Sequence, residues 1–384
     1  MPAHVTPAAR SPLAGLAAAL LGLTVAAGDA VAAELVPVAY AEIGGWSADS
    51  HAAAFAAFRR GCARIGGHAP IRRACEAALA MPSGIDDSAA RRFFEERFAP
   101  HRLAVGGSER GLFTGYYEPV IRASREAGAG FAVPVLGPPP GLVAVDAALA
   151  AAGAPAGLSH VLRRDGAVAA LPTRAEIDAG ALDGHAPPIA WLADPADAFF
   201  LHVQGSGLLV YGDSSSERIT YAGKNGHPYT SIGRLLTERG VMRREQVTMD
   251  SLRDWLAADP ARGRALMAEN RSYIFFRRVG AHDPRLGPLG QLEVALTPGR
   301  SLAVDLAHHA ANQPIWLDTS LPDSPAGPGG RLRRLMIAQD TGSAIRGPIR
   351  GDIFFGTGDS AGVVAGRMRA EGTMIVLVPR CAGC

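Results

Sequence analysis

From about Tyr273 to Pro379 the chain is a succession of short apolar runs cut by glycine, proline and polar clusters: SYIFFRRV, LEVAL, SLAVDL, PIWLDTSL, LRRLMIAQ, DIFFG and TMIVLVP. Each run is rich in β-branched or aliphatic residues and too short for a helix, so each reads as a strand. One helical stretch, from about Ser360 to Arg369, interrupts them. A doubly wound sheet needs strict alternation of strand and helix, which is missing, and the pattern fits a barrel instead.

Strand texture also appears earlier, in GLFTGYYEPVIRAS and FAVPVLGPPP, and again in FFLHVQGSGLLVYGD and RITYAGKNG. Between residues 49 and 98 the spacing is helical, and TSIGRLLTERG, TMDSLRDWLAAD and PARGRALMAEN read as three further helices. Thr173 and Glu176 in LPTRAEI form a capping-box pattern at another helix start. The expected fold is mainly β with peripheral helices. A first part of the barrel lies before the 120s, and an inserted β-domain follows it. The expected divisions are 1–33, a secretory signal; 34–120, helices and the first part of the barrel; 121–272, the insert; and 273–384, the rest of the barrel.

The signal reading rests on an arginine followed by an apolar stretch from Leu13 to about Ala27 and small residues near Ala32 and Ala33. No cysteine lies near that cleavage region, so a lipid-anchored N-terminus is not expected. The mature protein is expected to be exported to the periplasm. Four cysteines agree with an oxidising compartment. Cys62 and Cys75 fall near the ends of two helices and are candidates to clip them, and Cys381 and Cys384 are candidates for a terminal disulfide. The formal charge is +2 with scattered arginines, which gives no electrostatic footprint for nucleic acid.

Three aspartates carry the candidate chemistry. Asp340 precedes Thr-Gly and has an Asx-turn reading, while Asp359 with Ser360 stands where a helix N-cap belongs. Asp352 has neither explanation. It heads the apolar run Ile353-Phe354-Phe355, and strand alternation lets it face a groove while Ile353 enters the core. One carboxyl of raised pKa is sufficient for glycoside cleavage when a hydroxyl of the cleaved sugar is the nucleophile, whereas hydrolysis usually needs two. Three polar clusters suit a sugar: Tyr116 and Tyr117; Gln204, Gly205 and Ser206; and Tyr221, Lys224 and Asn225. Lys224 is the one lysine among 38 basic residues, a compact ammonium in a chain that otherwise uses arginine. Hairpin turns are the competing reading of VQGSG and AGKNG. The aspartate spacing matches no metal motif, and no metal or cofactor is expected.

GYYEP, LPTRAEI, VQGSG, YAGKNGHPYTSIG and AQDTGSAIRGPIRGDIFFGTGDSAG, in this order, resemble the membrane-bound lytic murein transglycosylase A family from about residue 100 to 379. The last segment looks like the three-aspartate domain of a wider group of double-psi β-barrels. The resemblance implies a double-psi barrel with an inserted β-domain and a glycan groove along their junction. It also implies cleavage of the β-1,4 bond between N-acetylmuramic acid and N-acetylglucosamine, leaving 1,6-anhydromuramoyl ends. Asp352 takes the position of the family's catalytic aspartate and Asp340 that of its partner, with Asp359 among the binding residues. Peptidoglycan glycan strands are the implied partner, with cell-wall synthesis or remodelling proteins as a further class. Family members are often outer-membrane lipoproteins, and this chain departs from that pattern in lacking the lipid-bearing cysteine.

Overall fold

Small and aromatic residues at helical spacing make the opening of the chain fold into a helical cap. The computed structural model describes residues 33–66, 71–128, 130–280, 283–323 and 328–380. Residues 1–32 of the expected signal segment, Cys381 and Cys384 lie outside the described residues, and Ala33 opens the first strand. After strand β1 (Ala33–Pro37) come helices α1 (His51–Cys62), α2 (Arg72–Ala80) and α3 (Asp87–Arg97). Asp86 caps α3 by accepting from the Ala89 amide at 2.7 Å. Phe55 and Phe58 of α1 meet Phe93 and Phe94 of α3, with ring centroids 5.0–6.5 Å apart. A disulfide joins Cys62 to Cys75 across α1 and α2, with Cα atoms 4.9 Å apart.

Strands β2 (Phe98–Val105) and β3 (Gly111–Glu118) follow, and at Pro119 the chain leaves for a second sheet. It runs through β4 (Val120–Ser124), β5 (Val133–Leu136), β6 (Leu142–Ala144), helix α4 (Ala147–Ala151), β7 (His160–Arg164), β8 (Ala167–Ala169) and α5 (Arg174–Asp178). Then come β9 (Pro188–Leu192), α6 (Pro195–Gln204), β10 (Ser206–Val210), β11 (Ser216–Lys224), α7 (Ile232–Glu238), α8 (Met249–Ala258), α9 (Pro260–Ala268) and β12 (Ile274–Val279). Six of these strands pair in the order β12-β11-β10-β4-β9-β5, and β6-β7-β8 form a small sheet of their own. The chain then returns with β13 (Ser301–Val304), β14 (Pro314–Ser320), β15 (Arg331–Asp340), β16 (Arg350–Thr357), α10 (Asp359–Arg367) and β17 (Arg369–Pro379).

The returning strands close into a ring. The order is β17-β14-β15-β13-β16-β3, and β3 pairs with β17 again, so the expected barrel is present as a closed six-strand ring. β1 and β2 extend the sheet from the other half of β17. Closure requires close backbone approach: Gly372 stands opposite Gly111, and a methyl group on either would lie 2.5 Å from the Asp318 carbonyl or 1.9 Å from that of Ile349. Ile315, Leu317, Met336, Ala338, Ile353, Met374 and Val376 fill the ring. Their strand neighbours Trp316, Leu335, Ile337, Ile375 and Leu377 point outward beneath α1 and α3. Burial on both faces is why these strands read as unbroken apolar runs.

Three strand expectations are corrected. LEVAL is a loop, not a strand: Glu293 has φ 55° and the backbone bonds locally, from Glu293 N to Gly290 O at 2.9 Å and from Leu296 N to Pro288 O at 2.9 Å. Its apolar composition reflects burial of Val294, Ala295 and Leu296. The run from Tyr273 belongs to the second sheet, because β12 pairs with β11, so 272/273 is not where the ring resumes. FFLHVQ is helical. Asp194 caps α6, Pro195 supplies its first turn and Gly205 ends it at φ 77°, and these local signals override β-like composition.

Two buried ion pairs tie the parts together. Asp49 receives both terminal nitrogens of Arg300 at 2.7 and 2.9 Å, fastening the N-terminal cap to the ring. Glu118 at the end of β3 is wholly buried, accepts from Arg218 Nε of β11 at 3.1 Å and from the Thr357 hydroxyl of β16 at 2.6 Å, and so joins ring to second sheet. Removing the guanidinium strands a buried carboxylate. Arg218→Met is expected to cost about 3–5 kcal/mol in chemical denaturation, with part recovered by Glu118→Gln on the same chain. A cost below about 1 kcal/mol would show that the pair is incidental.

Candidate active site

The candidate site is one row of residues across four strands. On β16, Asp352 stands opposite Thr114 of β3 on one side and Ala303 of β13 on the other. Ala303 in turn faces Asp340 of β15. Residues directly opposite share a face, so both aspartates project from the same side of the sheet with only a methyl group between their strands. Two strand spacings put their Cα atoms roughly 10 Å apart. Ile353 points the other way, into the ring.

Hydrogen bonds distinguish the two acids. The Thr114 hydroxyl donates to Asp352 Oδ1 at 2.5 Å and itself accepts from Arg350 Nη2 at 2.8 Å. Among the described residues the Asp352 carboxyl has no other hydrogen-bond partner. Asp340 is held at both oxygens, by the Tyr116 hydroxyl at 2.8 Å and by the Gln291 amide at 3.0 Å. Burial raises the Asp352 pKa above the usual carboxylate value, against the opposing pull of the Thr114 hydrogen bond and the Arg350 charge. Burial likewise pushes Asp340 up to about 6, with the Asp352 charge a lesser cause. Phe354, wholly buried on the same face as Asp352, packs at a tilt against Tyr116 with ring centroids 5.3 Å apart and keeps water from the row's flank.

This row lines a cavity of about 810 Å³ formed by the ring and the second sheet. Gln204, Gly205 and Ser206 reach it from the end of α6 and the start of β10, and Tyr221 and Lys224 reach it from β11. Tyr221 is 42% exposed and offers an open aromatic face, whereas the hydroxyl of Tyr116 is committed to Asp340. VQGSG is therefore a helix end feeding a strand rather than a hairpin turn.

Three expected binding residues lie elsewhere. Tyr117, next to Tyr116 on a strand, faces away and packs against Gly362 of α10, while its amide donates to Gln204 Oε1 at 3.1 Å. Asn225 is fully buried and acts as a backbone pin: its amide donates to the Pro172 and Arg271 carbonyls and accepts from the Tyr273 amide. Asp359 is exposed in the first turn of α10, whose N-cap is Gly358, and it does not line the cavity.

Several lining residues escaped the sequence reading. Thr114 and Arg350 precede Tyr116 and Asp352 by two, the strand period, which is the signal that would have found them. Arg174 lies buried at the cavity edge, donating to the Asn270 and Ser272 carbonyls at 3.2 and 2.7 Å. His202 of α6 packs on Tyr273 and Phe276, and burial holds it neutral. No periodic pattern marks either one.

A closed ring completed by the C-terminal strands, interrupted by a second β-sheet, defines a three-aspartate-type barrel with an insert. Residues 112–277 match the model of the MltA specific insert domain and 300–378 that of the 3D domain. A membrane-bound lytic murein transglycosylase from Agrobacterium tumefaciens has a similar solved structure: TM-score 0.80 and 33% identity, covering 90% of this chain and 98% of that one. The chain belongs to the membrane-bound lytic murein transglycosylase A family. It is 34% identical over 272 residues to membrane-bound lytic murein transglycosylase A of Vibrio cholerae, a match over 70% of this chain and 66% of that protein, just under two thirds of the relative's length. The structure of Escherichia coli MltA with bound chitohexaose is also similar, at TM-score 0.64 and 26% identity, covering 91% of this chain and 92% of that one.

The raised pKa of Asp340 has a thermodynamic sign. The folded chain keeps this proton up to about pH 6, whereas an unfolded chain releases it near about 4. Stability is thus lost as pH rises through that interval, by at most about 3 kcal/mol. Asp340→Asn is expected to gain thermal stability relative to the parent between pH 4 and pH 7, and an unchanged difference across that range would show that Asp340 ionises normally.

Proposed function

We propose that this protein is a lytic murein transglycosylase that cleaves the β-1,4 bond between N-acetylmuramic acid and N-acetylglucosamine, with Asp352 as its acid and base. The carrying observation is Asp352 itself: a carboxyl of raised pKa in a cavity walled by two sheets, with one oxygen engaged by Thr114. Chitohexaose bound to the Escherichia coli relative supports a sugar polymer as the occupant.

In this reading, protonated Asp352 donates to the glycosidic oxygen as the bond from C1 breaks. The C6 hydroxyl of the same muramoyl residue attacks C1, and the Asp352 carboxylate accepts the hydroxyl proton. A 1,6-anhydro ring forms, no water is consumed, and the carboxyl is restored. Thr114, steadied by Arg350, orients the carboxyl. Gln204, Gly205, Ser206, Tyr221 and Lys224 line the groove beside it and are assigned to the glycan. Asp340, with both oxygens committed, is assigned to positioning the row through Tyr116.

A second reading, two-carboxylate hydrolysis, is favoured by one observation, namely that Asp340 lines the same cavity. The product separates them, because hydrolysis leaves a reducing end and transglycosylation an anhydro end lighter by one water. The Cys62–Cys75 disulfide and the N-terminal apolar segment support action outside the cytoplasm. Among the described residues no helix is long and apolar enough to cross a membrane.

Mass spectrometry of muropeptides released from purified sacculi is expected to show anhydro ends. Asp352→Asn should reduce their release by about 10²–10⁴-fold while retaining sedimentation with sacculi; wild-type release by this variant would refute the assignment. Activity should fall as pH rises through the pKa of Asp352, because the proton donor is lost. Thr114→Val removes a donor that favours the ionised form, so its alkaline limb should move to higher pH, and a limb at lower pH would contradict the role given to Thr114.

A further inference from the structure

Beyond Lys224 the groove opens into a second hollow of about 450 Å³. Its wall shares Lys224, Ser343 and Arg346 with the groove and adds Arg234. Three cations line it and no carboxylate does. Arg234 is paired with Glu238 at 2.9 Å and Arg346 with Asp305 at 3.4 Å, but neither acid belongs to the lining. Among the described residues the Lys224 ammonium has only the Ser343 hydroxyl, at 3.2 Å, as a hydrogen-bond partner. Burial, and then the Arg346 charge, lower its pKa, so its ammonium is held against a like charge with no anion on the wall. His160 beside it is pushed down to about 4 by burial and by Lys224, and adds no charge.

A backbone of N-acetylated sugars is uncharged and has no use for three convergent cations. The charge of peptidoglycan lies on the short peptide carried by the lactyl ether of muramic acid, which bears free carboxylates. We propose that this hollow binds a carboxylate of the stem peptide on a muramoyl residue seated in the adjoining groove. The proposal rests on the murein-cleaving reading of that groove. A compact ammonium at Lys224 gives a point contact to one oxygen, and the Arg346 and Arg234 forks retain nitrogens to close on the other. The chain's single lysine thereby acquires a use that arginine, with its longer planar head, does not fill.

The test compares glycan strands bearing stems with the same strands stripped by an amidase and then amidated at the exposed lactyl carboxyl, which removes its charge, scoring anhydro ends to obtain KM and kcat. The parent protein is expected to show a KM roughly 5- to 10-fold lower on stem-bearing strands. In the Arg234→Gln/Arg346→Gln double variant that ratio should collapse toward one through a higher KM for stem-bearing strands, with kcat changing less. Melting temperatures check that the variants fold, and Arg346→Lys, which keeps the charge, should recover part of the ratio. Free stem peptide should compete with stem-bearing strands, and inorganic phosphate should compete less well. Equal KM for both substrates in the parent protein, a ratio untouched by the variants, or phosphate competing better than peptide overturns the stem assignment and leaves the murein reading standing. Absence of anhydro ends from either substrate instead overturns the murein reading.

Discussion

The parallel pairing of β3 with β16 is the constraint on which the rest depends. Thr114 and Asp352 are 238 residues apart in sequence and opposite one another in the sheet. That pairing closes the ring, aligns the row Thr114–Asp352–Ala303–Asp340, and forces everything between β3 and β13 to leave and return. The second sheet is attached where β3 ends, and there the buried Glu118–Arg218 pair sets how the two walls of the cavity meet. Such a pair gives little net stability, because desolvation of both charges offsets their attraction. Its value is geometric, since an apolar contact at that joint would permit sliding that a β3 carboxylate held from β11 and β16 does not.

The electrostatics of the cavity follow from the same closure. Two acids are drawn from water on one face, and both rise in pKa for that reason before any mutual effect. Fixed donors then separate them. The Asp340 carboxylate is bonded at both oxygens and the Asp352 carboxyl at one. Arg350 stands behind Thr114, where its charge opposes the rise at Asp352, and Lys224 lies across the groove.

Much of this was legible in the residues, and the failures have physical causes. Asp352 stood out because a carboxylate before an apolar run needs a reason, and strand alternation supplied it. The closed ring was readable from strand runs without alternating helices. Tyr116 and Tyr117 were read as a pair although adjacent strand residues face opposite sides, and only Tyr116 reaches the cavity. Asn225 has the chemistry of a ligand and the burial of a scaffold, and sequence records only the first. LEVAL was apolar because it is buried, and composition does not separate a buried loop from a strand. FFLHVQ shows the converse, since capping by Asp194, Pro195 and Gly205 outweighed β propensity.

Ring topology also sets an order of assembly. The second sheet is built from one continuous stretch of chain, whereas the ring pairs Thr114 with Asp352 across 238 residues and needs its first and last strands together. Loop closure across more than two hundred residues is slow and comes late. Thr114 cannot meet Asp352 until almost the whole polypeptide has been made, so a truncated or half-delivered chain carries no assembled acid.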